Sequence, residues 1–172
     1  MNGFKIACFD VYYYSNYAKA CCIVFEVNPI ERIIATYSEK ISPVCEYIPG
    51  KFYKRELPCI IEVYKKINED IDLIIIDGYT LIGSNKGLGG YLYEYLNKSI
   101  PVIGVAKTYF YGVSNYVEVY RGNSKKPLYV TSIGIDLIIS ENIIKELSGE
   151  FRIPYILREV DKMTKNKLLN IK

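Results

Sequence analysis

The 172-residue chain contains no histidine and no tryptophan. Without histidine, a Ser-His-Asp or Cys-His catalytic system, a histidine-ligated zinc and a histidine general base are all excluded. Any hydrolytic reaction must therefore use carboxylates, lysines, tyrosines, cysteines or metal-bound water.

Paired cysteines and long apolar runs are also lacking. The five cysteines show no C-x-x-C spacing, and their odd number and mostly apolar surroundings predict reduced core residues rather than disulfides or a zinc site. No apolar run approaches the roughly 20 residues of a membrane span, and the N-terminal residues do not resemble a signal peptide. We therefore expect a cytoplasmic monomer that makes no contact with a membrane.

The balance of charge and hydrophobicity indicates a folded domain. The net charge is +3, from 22 Lys and Arg against 19 Asp and Glu, which is too small to indicate a nucleic-acid partner by itself. Half of the residues are apolar, which excludes a disordered chain. The length predicts one domain over 1–172, in which about 162–172 form a basic C-terminal tail.

The order of apolar patterns predicts an α/β fold. Short connections favour an antiparallel arrangement of the first three strands, and two later strands, 72–77 and 101–107, are apolar enough to be buried on both faces. A helix precedes each of these later strands, and a hairpin and further helices follow, one with Ser140 as its N-cap. This order predicts a mixed five-stranded sheet with helices on both faces plus a late hairpin, which is the plan of ribonuclease H-like nucleases.

Three acids stand where the chain changes direction. Asp10 ends the first strand, Glu56 opens the first helix, and Asp77 ends the most apolar strand. If the two strands are parallel neighbours, Asp10 and Asp77 emerge at the same edge of the sheet, where a divalent cation would relieve their repulsion. The alternative is that these acids only cap turns.

Several segments resemble the endonuclease V family. The segment 47–58 is similar to the family's Y-[IV]-P-G-x-x-x-x-R-E-x-P motif, including the spacing. The likeness runs from about residue 4 to residue 161. The other matching pieces, in chain order, are 6–11, 72–78, 101–108 with Gly112, 152–154 and 157–161.

The resemblance implies a ribonuclease H-like endonuclease that uses Mg²⁺, with Mn²⁺ as a substitute. Family members cut DNA, and in some cases RNA, at deaminated bases, above all inosine. They hydrolyse the second phosphodiester 3′ to the lesion and leave a 3′-hydroxyl and a 5′-phosphate. We therefore expect DNA or RNA containing inosine as the partner of this chain.

The resemblance also implies roles for individual residues. Asp10, Glu56 and Asp77 fall on the metal-binding acids, and Asp161 on a residue that completes the site. Lys107 falls on the lysine of the G-V-A-K motif, where it can neutralise charge on the scissile phosphate. The expected substrate-binding residues are the strand-separating wedge Tyr47, Ile48, Pro49 and Gly50, together with Gly78, beside which an extruded base can approach closely.

Each role has a structural alternative. Glu56 could stabilise a helix dipole, Asp161 could pair with the lysine-rich tail, and Lys107 could be a surface lysine. The wedge could be an ordinary loop. Arg121, Lys125 and Lys126 are further candidates for contact with the phosphate backbone.

Two departures from the family pattern favour other functions. Glu46 stands where the family has a proline, and the family's histidine aligns with Gly83 or Ser84. The chain could therefore bind lesions or branched strands without cutting them. It could also be another ribonuclease H-like nuclease, specific for junctions or hybrids.

Overall fold

The computed structural model describes residues 3–166. The elements in chain order are β1 (Phe4–Tyr13), β2 (Ala18–Val27), β3 (Glu31–Ile41), α1 (Tyr53–Tyr64), β4 (Leu73–Asp77), β5 (Leu81–Ile82), β6 (Asn85–Lys86), α2 (Leu88–Tyr95), β7 (Val102–Ala106), β8 (Val117–Val119), β9 (Leu128–Ile133), α3 (Leu137–Glu146) and α4 (Tyr155–Lys165). No helix within these residues is long and apolar enough to cross a membrane.

The main sheet has the strand order β3-β2-β1-β4-β7-β9-β8. Strands β1, β4 and β7 are parallel to one another, and all other pairs in this sheet are antiparallel. The five predicted strands are thus present as neighbours, and the ribonuclease H-like plan is confirmed. The late hairpin β8–β9 is part of the same sheet, which therefore has seven strands, because β9 pairs with the exposed edge of β7.

Helices cover both faces of the sheet, as predicted. Side chains alternate along each strand, so Leu73 and Ile75 of β4 pack on the side of α3 and α4, while Ile74 and Ile76 pack on the side of α1 and α2. Both sets are fully buried. A strand with two buried faces must be apolar throughout, which is why β4 was the clearest element in the sequence.

The cysteines behave largely as predicted. All five are free thiols, and four of them are buried in the two apolar cores. Cys45 is the exception, since it is exposed in the loop before α1. The buried thiols act as small apolar side chains.

The predicted N-cap of α3 is wrong. The helix begins at Leu137, and Asp136 is its N-cap, accepting hydrogen bonds from the backbone N–H groups of Ile138 and Ile139. Ser140 lies buried inside the helix, where its hydroxyl donates to the carbonyl of Asp136. The Asp136 carboxylate, four residues before Ser140, satisfies the free N–H groups of the first turn.

The last described helix includes the first residues of the predicted basic tail. Lys162 pairs with Glu159 at 2.8 Å, and Lys165 pairs with Asp161 at 2.8 Å, both along the surface of α4. The remainder of the predicted tail, from residue 167 to residue 172, lies outside the described residues.

Candidate active site

Two of the predicted acids meet at the carboxyl edge of the parallel strands. The β1–β4 pairing reaches Phe9 opposite Ile76, so the next residues, Asp10 and Asp77, lie side by side on strands about 4.8 Å apart. Alternation along each strand places both carboxylates on the side of α4. Lys107, one residue beyond β7, donates from Nζ to Oδ2 of Asp77 at 3.0 Å.

Helix α4 closes this group from the face of the sheet. Its Thr164 hydroxyl donates to Oδ2 of Asp10 at 3.2 Å. Asp161 lies one turn earlier and borders the same crevice as Asp10, Asp77 and Lys107. The crevice has a volume of about 20 Å³, which is room for roughly one water-sized sphere. The pairing of Asp161 with Lys165 also agrees with the structural alternative for Asp161.

Glu56 approaches the same edge from the opposite face. It lies in the first turn of α1 and is 4% exposed. The Tyr13 hydroxyl donates to its Oε2 at 3.4 Å, and the Arg55 guanidinium stacks over the Tyr13 ring at 3.8 Å. Glu56 is therefore bound to Tyr13 and does not line the crevice that Asp10 and Asp77 border.

The crowding of buried carboxylates shifts their protonation. Burial, followed by the charges of Asp77 and Asp161, raises the pKa of Asp10 to about 6, although Lys107 and the Thr164 hydrogen bond oppose the shift. Burial, and then the charges of Asp10 and Asp77, raise the pKa of Glu56 well above its usual range. Burial tends to lower the pKa of Lys107, but the neighbouring acids raise it overall, so the lysine stays charged.

Part of the predicted donor set, the pair Asp10 and Asp77, suits a divalent cation. Within residues 3–166, no group of three or more His, Cys, Asp or Glu side chains is arranged to hold a metal ion. Mg²⁺ nevertheless is commonly bound through one or two carboxylates, with water and phosphate oxygens completing its shell. Asp10 and Asp77, which face each other across the crevice with like charges, fit such a site. Direct ligation by Glu56 remains a prediction.

A larger cleft opens from the same edge. It has a volume of about 500 Å³ and extends from Asp77 and Lys107 to Tyr47 and Gly50. Gly78, with φ of +124°, turns the chain at its floor, a conformation that favours glycine. Aromatic side chains form much of its wall, namely Tyr47, Phe52, Tyr53, Tyr79, Tyr109 and Phe110.

The predicted wedge is only partly directed at this cleft. Tyr47 and Gly50 line it, and Tyr47 is exposed. Ile48 instead borders a separate groove beside Leu57, and Pro49 is exposed at the turn between them. The loop thus presents its residues in two directions.

Some functional neighbours escaped the sequence interpretation. Thr164 lies three residues after Asp161, a spacing that places both on one helix face and could have identified it. The contact between Tyr13 and Glu56 had no such signal, because it joins residues 43 positions apart.

The predicted phosphate contact of Arg121 is wrong. This side chain is 6% exposed, and its guanidinium donates to the backbone carbonyls of Leu147, Gly149 and Phe151. It therefore holds the segment between α3 and α4. Lys125 and Lys126 are exposed, and their contact with phosphate stays a prediction.

The pKa of Asp10 predicts how the stability of the metal-free protein depends on pH. Because the folded state raises this pKa from 3.8 to about 6, it binds the proton more tightly than the unfolded chain does. This contribution to stability is complete below pH 3.8 and is lost as the pH rises through 6. At pH 7, Asp10→Asn should raise the free energy of unfolding by about 2–3 kcal/mol.

Urea denaturation in EDTA between pH 4 and pH 8 measures this effect. The exposed Asp70, near the opposite edge of the sheet, supplies the control variant Asp70→Asn. Parallel stability profiles for Asp10→Asn and the unmodified protein would show that folding does not raise the pKa of Asp10.

Comparisons with known proteins agree with this geometry. The family model described as Endonuclease V matches residues 3–143, which include Asp10, Glu56, Asp77 and Lys107 but not α4. A relative named Endonuclease V, from Thermosipho melanesiensis, is 29% identical over 144 residues, which are 80% of this chain and 60% of the relative. The chain thus spans less than two thirds of that relative's length.

Solved structures show the same fold. The endonuclease V of Bacillus subtilis superposes with a TM-score of 0.75 at 24% identity, covering 96% of this chain and 80% of that one. The endonuclease V of Ciona intestinalis, in complex with a 24mer DNA that contains an inosine followed by a ribo-adenosine, gives a TM-score of 0.79 at 21% identity, covering 95% and 84%.

Proposed function

Because the chain belongs to the endonuclease V family, we propose that it is a metal-dependent endonuclease that nicks DNA or RNA at inosine. The observation that carries the proposal is the meeting of Asp10, Asp77 and Lys107 at one edge of the sheet, where Asp77 and Lys107 line both the crevice and the aromatic cleft. In this role the chain would act in nucleic-acid repair, as a monomer in the cytoplasm. The cut would fall at the second phosphodiester 3′ to the inosine and leave a 3′-hydroxyl and a 5′-phosphate.

We assign different roles in the reaction to the acids and to the lysine. Asp10 and Asp77 would hold Mg²⁺ or Mn²⁺, with Glu56 as a further or water-mediated contact. The bound ion would supply Lewis acidity and a more acidic water. Lys107 would neutralise charge that develops on the scissile phosphate. Asp161 would orient the attacking water, and Thr164 fixes the Asp10 carboxylate through its hydrogen bond.

The cleft offers a place for an extruded base. Its volume of about 500 Å³ and its aromatic wall suit a planar ring, and Gly78 exposes backbone groups at its floor. Tyr47, at the rim, would replace lost stacking in the strand as the base leaves. Extrusion costs least at a poorly paired base such as inosine, which gives a physical source of selectivity.

Support for inosine as the target comes from the relatives. The Ciona intestinalis protein, which shares the fold, was solved with DNA that contains inosine. The motifs around Tyr47 and Lys107 in this chain resemble those of the same family.

A second candidate is a protein that binds the lesion without cutting it. The hairpin β5–β6, which follows Asp77, carries Gly83 and Ser84 at the position of the family's histidine. Gly83 adopts φ of +58° in a tight turn, so the backbone there is shaped for a glycine rather than for a functional side chain. This candidate predicts binding that is selective for inosine, indifferent to Mg²⁺ and without a product.

A cleavage assay separates the candidates. End-labelled single and double strands of DNA and RNA, each with one inosine or a guanosine at the same position, are incubated with the purified protein in Mg²⁺, Mn²⁺ or EDTA. We expect nicks only with inosine and only with a divalent ion. Junction and hybrid substrates test for a different ribonuclease H-like nuclease.

The result is interpretable only with folded protein, which circular dichroism verifies. If folded protein cuts none of the inosine strands, the endonuclease proposal is wrong. Selective retention of those strands in a gel-shift experiment would then support the binding candidate.

A further inference from the structure

Three consecutive aromatic residues follow the proposed catalytic lysine and point outward. Tyr109, Phe110 and Tyr111 begin two residues after Lys107 and are 47%, 52% and 91% exposed. Tyr109 and Phe110 line the large cleft, and Tyr111 lies just beyond it. A group of exposed aromatic side chains that are contiguous on the surface often marks a site of interaction with a ligand or partner. We call these three residues the aromatic loop.

The inner side of the aromatic loop is fixed by hydrogen bonds. The Tyr79 hydroxyl donates to the carbonyl of Thr108 at 2.6 Å and accepts the backbone N–H of Phe110 at 3.1 Å. The Tyr79 and Phe110 rings lie 6.5 Å apart. A single side chain from the floor of the cleft thus bridges both ends of the turn.

Ring packing secures the loop from the other side. Tyr109 packs against Tyr116 and Tyr129, each with ring centroids 5.7 Å away. The loop is therefore anchored through Tyr109 and Tyr79, while Phe110 and Tyr111 keep more than half of their surface exposed. A surface that is ordered before binding loses little entropy when a ligand arrives.

The position of the loop indicates what would bind there. It leaves directly from the residue that would contact the scissile phosphate, so a nucleotide next to that phosphate is within its reach. Exposed rings beside a cationic group form the usual site for an unpaired base, whose π-face is free. In a duplex both faces of the base are already stacked.

From this arrangement we propose that Phe110 and Tyr111 form a stacking platform for an unpaired nucleobase next to the cleavage site. The protein would then prefer a single-stranded stretch around the cut over a regular duplex. This inference rests on the proposed function, since it places the scissile phosphate at Lys107.

Fluorescent oligonucleotides test the platform directly. A single-stranded DNA with one inosine carries 2-aminopurine at successive positions on either side, and binding is followed in EDTA so that no strand is cut. Fluorescence should be quenched at one position when the base stacks. The double variant Phe110→Ala/Tyr111→Ala should lose this quenching and bind the single strand roughly tenfold more weakly, the usual effect of losing one stacked base.

Two further variants control for indirect effects. Phe4→Ala removes another exposed aromatic ring, 45% exposed, from the opposite edge of the sheet and should bind like the unmodified protein. The single variant Tyr111→Phe keeps an aromatic ring at this position and should therefore retain most of the quenching that the double variant loses. Tyr79→Phe keeps the wall of the cleft but removes the bridging hydroxyl, and should give an intermediate affinity.

The results of these binding experiments test the stacking platform independently of the proposed endonuclease function. Unchanged quenching and affinity in the double variant would overturn the platform even if inosine is cut. An equal loss of affinity for single strands and duplexes would also overturn it. A loss confined to single strands would support it, whether or not the cleavage assay detects cutting.

Discussion

Replacing Asp77 by asparagine is expected to reduce strand cutting by at least about 10²–10³-fold, the usual loss when one electrostatic group is removed from an active site. Asparagine has nearly the same shape but no negative charge. It would weaken the proposed metal site and release Lys107, which is bound to Asp77 at 3.0 Å. In the proposed mechanism, both changes would reduce the stabilisation of charge on the scissile phosphate.

The same substitution should leave the fold intact or make it more stable. Burial is the main cause of the raised pKa values of Asp10 and Glu56, and the charge of Asp77 raises both further, which means that Asp77 repels these two carboxylates in the folded state. Removing one charge relieves this repulsion. Lost activity together with an unchanged or higher melting temperature would therefore distinguish a functional role from a structural one.

Initial cleavage rates on an inosine strand in Mg²⁺ measure the effect. The control variant Asp70→Asn removes the same charge from an exposed position and should cut at the normal rate. An Asp77→Asn protein that cuts at nearly the normal rate would contradict the proposed role of this carboxylate.

The largest loss of stability is expected for Arg121→Met. The buried guanidinium donates to the carbonyls of Gly149 at 3.1 Å and Phe151 at 3.0 Å, and also to that of Leu147. Methionine fills a similar length but leaves these acceptors without their donor. A hydrogen bond to a charged group contributes about 1.5–3 kcal/mol, so we expect a decrease of about 3–5 kcal/mol in the free energy of unfolding.

This variant should also cut more slowly. The carbonyls that Arg121 holds belong to the segment that leads into α4. This helix brings Asp161 to the crevice and Thr164 to the Asp10 carboxylate. Urea denaturation measures the stability, and the same cleavage assay measures the rate. Lys125→Met, in the same loop but exposed, should change stability by less than about 0.5 kcal/mol. Equal denaturation midpoints for the two variants would show that Arg121 does not stabilise the fold.

Several features of this protein were predictable because they depend on local pattern. The apolar run that ends at Asp77 could only be a strand buried on both faces. Its carboxylate was expected at the same edge as Asp10 if the two strands were parallel neighbours, and the β1–β4 pairing is parallel. Contrary to expectation, the first strand does not end at Asp10 but continues to Tyr13, because β1 stays paired with β2 over those residues. The spacing of the motif around Glu56 indicated the family, and the family model confirms it.

Other features depend on contacts between distant segments. Arginine is a residue type that often binds phosphate, but the Arg121 guanidinium is hydrogen-bonded to backbone carbonyls within residues 147–151. Ser140 matched an N-cap by type, yet Asp136 was better placed to meet the free N–H groups. The partners of Arg121 are distant in the chain, whereas the residue that displaced Ser140 as N-cap is only four positions away and is itself of a preferred N-cap type.

The sequence by itself determined the order of the elements, the identity of the acids and the absence of histidine chemistry, because periodicity and residue type are properties of the chain alone. Only the tertiary structure decided which acids share a crevice. Glu56 approaches from the face opposite to Asp161, and its partner Tyr13 comes from another element. The positions of these acids relative to one another depend on how the helices pack on the two faces of the sheet, and that packing involves the whole core at once.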